Sequence, residues 1–270
     1  MDRPAAAKRQ NERSKKMPDI SQTTKHRKYR MLLYICIALY VLALLVRTAK
    51  ILLDPILERD ASLYLAWVEN WIATGSYHYT FFDQVGPVPP LPIWFIKTMM
   101  LSGLGAEAAG RTIALFFGSL MPVIGFVFTL KVCRNIRIAL LAALLLVFQP
   151  DLVKYSGQPL RECPYVFFDG ILLILIADAV QKNAAYKWAL CGIVLSLTAY
   201  CRFEALEFTL IVPGIMAALW YFKRINWKEA IRNTAAFYLL FLLTYVLLLT
   251  CVDFDYEFIA RPLGHVTAVF

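Results

Sequence analysis

Apolar runs of near-membrane length recur along the chain, near residues 31 to 52, 111 to 131, 137 to 152, 164 to 181, 187 to 202, 205 to 222 and 233 to 252. A helix needs roughly 20 apolar residues to cross a bilayer core, and a shorter run can complete its crossing with uncharged flanks. The pattern therefore predicts seven transmembrane helices. One further stretch, 88 to 104, is apolar but is introduced by Pro87, Pro89, Pro90 and Pro92 and carries Lys97 near its centre. It reads as a helix lying in the membrane interface. The expected fold is an all-α polytopic membrane protein. Its long first extracytoplasmic loop, residues 53 to 110, is expected to contain interfacial helices.

The polar positions between the runs assign the sides. If 88 to 104 does not cross, the basic loops KVCRNIR (131 to 137), QKNAAYK (181 to 187) and KRINWKEAIR (223 to 232) all share the face of the basic N-terminus. The positive-inside rule makes that face cytoplasmic. Asp60, Glu162, Glu204, Asp253, Asp255 and Glu257 then share the outer face. If 88 to 104 did cross, the cationic loops would scatter and Asp60 and Glu162 would be separated by the membrane.

Composition fits this reading. With 60% apolar residues, mean hydropathy +0.58 and only 17% charged residues, the chain is no ordinary soluble domain. Its net charge of +9 comes mainly from residues 1 to 30, where ten Lys/Arg face three Asp/Glu and leave +7. That concentration argues against nucleic acid as a partner and for a disordered cytoplasmic tail, with membrane lipids as secondary contacts. Residues 31 to 252 form the membrane domain in this reading, and residues 253 to 270 a short extracytoplasmic segment. The six cysteines lie singly, without CxxC or histidine pairing, and read as packing residues. Neither a metal site nor a cofactor is indicated.

Ionisable groups beside apolar spans mark candidate sites, because holding charge at the edge of hydrocarbon is costly. Asp60, in ERDASLYLAWVENW, precedes Leu63, Trp67 and Trp71 at helical spacing, so it is expected to cap a short interfacial helix, a role compatible with serving chemistry as well. Glu162 opens the fourth span, and Asp169 follows two turns deeper on the same face. Arg59, Arg161 and Arg202 are outer-edge cations. Arg202, in CRFEALE, could clamp a phosphate or pair with Glu204 or Glu207. Arg47 and Lys50 are expected to snorkel from the first span to the interface. His78, in GSYHYTFF, reads as a surface or packing residue.

The ordered set D-A-S-L-Y-L-A-W-V-E-N-W-I-A-T-G, P-P-L-P, Gly110-Arg111 opening a span, Q-P-D with R-E, and C-R-F-E-A-L resembles the membrane-embedded C-type (GT-C) glycosyltransferases. Within them it is similar to the protein mannosyltransferases and the lipid A aminoarabinose transferase, over roughly residues 31 to 222. The resemblance implies an inverting transfer of a sugar from a polyprenyl-phosphate donor to a lipid, glycan or protein hydroxyl at the outer face. It implies Asp60 as catalytic base, with Tyr64 at the expected offset, although Ala61 stands where many relatives carry a second carboxylate. Glu162 matches the acid of the second outer loop, and Arg202-Phe203-Glu204 resembles a later R-x-E. One or more of Arg59, Arg161 and Arg202 would hold the departing phosphate. Asp169, by its position, either hydrogen-bonds a neighbouring helix or lines the reaction cavity. Members of that family usually continue further, so the resemblance implies a shortened form. A lipid-linked sugar flippase and a noncatalytic membrane subunit are the competing functions.

Overall fold

The computed structural model describes residues 20–75 and 90–251, with side chains from 29 to 75 and 90 to 250. All its regular elements are helical. In chain order they are α1 (Ile20–Leu53), α2 (Arg59–Thr74), α3 (Pro90–Leu101), α4 (Ala106–Cys133), α5 (Ile136–Phe148), α6 (Pro150–Tyr155), α7 (Glu162–Lys182), α8 (Ala185–Cys201), a 3-10 turn (Phe203–Glu207), α9 (Phe208–Tyr221) and α10 (Trp227–Cys251). Among the described residues, five segments are long and apolar enough to cross a membrane: Tyr29–Leu53, Ala106–Cys133, Glu162–Lys182, Phe203–Tyr221 and Trp227–Thr250. The chain is an all-α, multi-pass membrane protein.

Several sequence expectations change in detail. Helix α1 begins at Ile20, so it continues eleven residues into the stretch expected to be a disordered tail. A nucleated span extends readily through Lys, Arg and Gln, which are good helix formers. The apolar run 137 to 152 is two helices, because Pro150 lacks the N–H that would bond the carbonyl four residues back. Pro150 instead sits at the first position of α6, where no such donor is needed. Helix α3 packs Pro90, Leu91, Pro92, Ile93 and Ile96 against its neighbours. Its Lys97 lies 3.6 Å from the centroid of the Trp71 ring, which gives the ammonium an aromatic face rather than bare hydrocarbon. His78 and the acidic segment with Asp253, Asp255 and Glu257 lie outside the described residues.

Two faces of small residues let the helices close. A Cβ at Gly118 would collide with the Ser156 hydroxyl, so the turn after α6 can rest on α4 only because position 118 has no side chain. Gly192, Ser196 and Tyr200 form one stripe of α8 at four-residue spacing and face the backbone of α10. A Cβ at 192 would collide with the Phe237 carbonyl; Ser196 donates to the Phe241 carbonyl at 2.8 Å, and Tyr200 to the Tyr245 carbonyl at 2.9 Å. Small residues and interhelical hydrogen bonds are how membrane helices associate without a hydrophobic driving force between them. Gly192→Leu is expected to prise α8 from α10 and break both bonds. Size-exclusion chromatography in mild detergent should show aggregation, and a monodisperse protein of wild-type stability would refute the close approach.

Opposite ends of the bundle have opposite character. At one end Lys131, Lys182 and Lys187 surround Asp178, and Asn233 of α10 donates to Asn183 at 2.8 Å. The three basic loops therefore meet. At the other end lie the starts of α2, α4 and α7 and the turn after α8, which carry the candidate acids.

Candidate functional site

The two loops that deliver Asp60 and Glu162 are strapped to each other. Gln158 accepts from the Glu58 N–H at 3.0 Å and donates to the Ile56 carbonyl at 2.9 Å, so one amide side chain bonds a donor and an acceptor of the 56 to 58 backbone. Arg111, buried at the start of α4, joins the same loops from below by donating to the carbonyls of Pro55 and Gly157, while Glu107 holds its Nε at 2.8 Å. An exposed Lys154–Glu58 pair at 2.6 Å adds little energy but fits the same geometry. Residues more than a hundred positions apart are thus fixed side by side.

Asp60 does not cap its helix. Glu58 occupies the cap position, and its side chain makes no capping bond. The carbonyl of residue 58 already accepts the Ser62 N–H, so the helix has begun before Asp60 is reached. Asp60 instead lies exposed in the first turn, where the helix dipole favours negative charge. Among the described residues it makes no hydrogen bond or ion pair. Arg59 beside it is also exposed.

Tyr64, one turn on, is buried at the centre of the arrangement. Burial pushes its hydroxyl up to about 12, while the charges of Arg161, Glu162, Asp60 and Arg202 all act on it. Four candidate residues from three separate segments therefore lie within electrostatic reach of one phenol. It keeps its proton well above neutral pH and is a standing hydrogen-bond donor. Tyr64→Phe retains the packed ring and removes only that donor. A ligand that bonds this hydroxyl is expected to bind about tenfold more weakly, the value of one hydrogen bond to a charged group, with the thermal midpoint nearly unchanged. Unchanged ligand affinity would remove Tyr64 from the site.

Glu162 is the first residue of α7, with Arg161 at the cap. Their closest approach is 3.9 Å, too long for a hydrogen bond, and both side chains are about one quarter exposed, 29% and 25%. Arg161 Nε, Glu162 Oε2 and Asp169 Oδ1 are buried atoms without a hydrogen-bond partner. Polar atoms in that condition are rare and call for an explanation. Asp169 is half-buried on the same face of α7, within the field of Glu207. Arg202 is held by Glu204 at 2.9 Å and stands 5.6 Å over the Tyr165 ring, with its side chain still one third exposed. The floor is aromatic: Phe117 packs on Phe95, Phe167 and Phe168 with centroids 5.0 to 5.8 Å apart.

Asp60, Tyr64, Arg161, Glu162, Asp169, Arg202 and Glu204 are thus gathered at one end of the bundle. Three contributors went unread in the sequence. Tyr165 lies between Glu162 and Asp169 at positions 162, 165 and 169, a helical face visible from the spacing alone. Glu207 appeared only as an ion-pair alternative. Gln158 left no local signal, because its role depends on which distant loop it meets. Comparison with protein-family models, curated proteins and solved structures finds no match to this chain.

Proposed function

We propose that this protein is a GT-C-type glycosyltransferase that moves a sugar from a polyprenyl-phosphate donor to an acceptor hydroxyl on the extracytoplasmic side of the plasma (inner) membrane. The observation that carries the reading is the set of unpartnered polar atoms on Arg161, Glu162 and Asp169, grouped with Asp60, Tyr64 and Arg202 above an aromatic floor. An uncharged ligand of many hydroxyls, attached to a phosphate and a lipid, supplies what those atoms lack. Hydroxyls bond the acids, the phosphate bonds the guanidinium groups, and the chain lies in the bilayer.

In this mechanism the acceptor oxygen attacks the anomeric carbon from the face opposite the phosphate. The new carbon–oxygen bond forms as the old bond to phosphate breaks, with inversion, and the phosphate leaves with the electron pair. Asp60 takes the acceptor's proton as that oxygen becomes acidic. Glu162 orients the acceptor and faces the positive charge that develops on the sugar ring. Arg161 and Arg202 stabilise the departing phosphate, with Arg59 at the rim. Seven crossings, completed by α5 with α6 and by α8, put the basic loops and the N-terminus in the cytoplasm. The test is mass spectrometry of lipid-linked sugars and outer-surface glycans with and without the protein. Deletion should leave an accumulated polyprenyl-phosphate sugar together with a glycan lacking one residue, and unchanged profiles of both would overturn the assignment.

A further inference from the structure

The end of the bundle opposite the candidate site has a charge imbalance that the proposed reaction does not use. Asp178, near the end of α7, is shared by three lysines from three segments: Lys131 at the end of α4, Lys182 one turn on, and Lys187 at the start of α8. One carboxylate neutralises one of them, so two positive charges are left over. They are not freely solvated, since the Lys187 side chain is 9% exposed and that of Lys131 is 23% exposed. The nearest other acid along these loops, Glu229, is already committed: it accepts the Asn226 N–H at 3.0 Å while Asn226 accepts the Glu229 N–H at 2.8 Å, a reciprocal cap on α10. Across residues 131 to 137, 178 to 187 and 223 to 232 there are nine Lys/Arg against two Asp/Glu.

The depth of this cluster is also marked. Tyr186, Tyr221, Phe222 and Trp227 are all more than half exposed at the same end. Exposed aromatic rings beside lysines are the pattern of a membrane–water interface. We propose that the Lys131–Lys182–Lys187 cluster binds the phosphate of an anionic phospholipid, which supplies the negative charge that Asp178 alone does not. Its headgroup sits among the three ammonium groups, and its acyl chains run along the apolar flank of the bundle.

The test uses the full chain purified in detergent and titrated with phosphatidylglycerol or phosphatidylcholine, with bound lipid counted by native mass spectrometry. The wild type should retain phosphatidylglycerol preferentially. Lys182→Gln, which changes a side chain 63% exposed and so leaves the fold intact, should weaken that retention about fivefold, the value of one cation near an anionic headgroup. Lys228→Gln, at an exposed lysine of the same end that has no contact with Asp178, is the control and should change it little. Asp178→Asn leaves three lysines without their carboxylate, and its thermal midpoint should recover when phosphatidylglycerol is added but not with phosphatidylcholine. Equal losses from Lys182→Gln and Lys228→Gln would show a diffuse field rather than a site. Equal retention of both lipids, or rescue of Asp178→Asn by inorganic phosphate as well as by phosphatidylglycerol, would also overturn the proposal.

Discussion

Asp60→Asn is expected to lower sugar transfer by about 10²- to 10⁴-fold, the usual contribution of a positioned base, while leaving donor binding intact. The substitution is nearly isosteric and falls on an exposed residue of the first turn of α2, so the packed face made by Ala61, Tyr64, Leu65 and Trp67 is untouched. Folding should be preserved, because Asp60 makes no bond that the asparagine would lose. The measurement is single-turnover transfer in proteoliposomes, paired with equilibrium binding of the polyprenyl-phosphate sugar. Lost transfer with retained binding identifies a chemical role. Loss of both would mean that Asp60 holds the donor, and an unchanged rate would remove it as the base.

Arg47→Met is expected to lower the thermal midpoint in detergent by roughly 6 to 12 °C, from a net loss of about 3 kcal/mol. Snorkelling, the sequence expectation for Arg47, is not what this side chain does: it is fully buried. Its Nε donates to the Ser156 hydroxyl at 2.9 Å, and its terminal nitrogens reach the carbonyls of Ala43, Leu146 and Val147 at 3.3 to 3.4 Å. The reason lies in Pro150. The Leu146 carbonyl would bond the N–H of residue 150, and proline has none, so an acceptor near the break between α5 and α6 is left for a donor from elsewhere. Removing the guanidinium strands the acceptors at about 1 to 3 kcal/mol each, partly offset by no longer burying a charge. Which effect dominates is measurable. An unchanged or higher midpoint would mean the charge costs more than the acceptors gain. Arg47→Lys should recover only part of the loss, because a single ammonium cannot span α1, α5 and the turn at Ser156.

These two residues show where the sequence is readable. Asp60 stands out because a charge beside a long apolar run needs a reason, and that reasoning uses only neighbours in the chain. Arg47 looks the same by that test, a cation near the end of a span, and its fate is decided by a proline 103 residues away. The helical runs were legible from hydropathy, but the division at Pro150 was hidden within a continuous apolar pattern. The Gln149 side chain accepts from the Leu152 N–H and opens a new helix there. Convergence of the acids was legible only as a consequence of which side each loop occupied. The strap that enforces it, Gln158 and Arg111 on the 54 to 58 loop, depends on backbone carbonyls that no residue type reveals.

Thirteen residues of α5 and seventeen of α8 extend about 20 and 26 Å at the standard rise, against a hydrocarbon slab of roughly 30 Å. Helix α5 turns Ile138, Leu141, Leu145 and Phe148 outward, so the bilayer beside it must thin unless α6 completes the crossing, whereas α8 is largely enclosed by its neighbours.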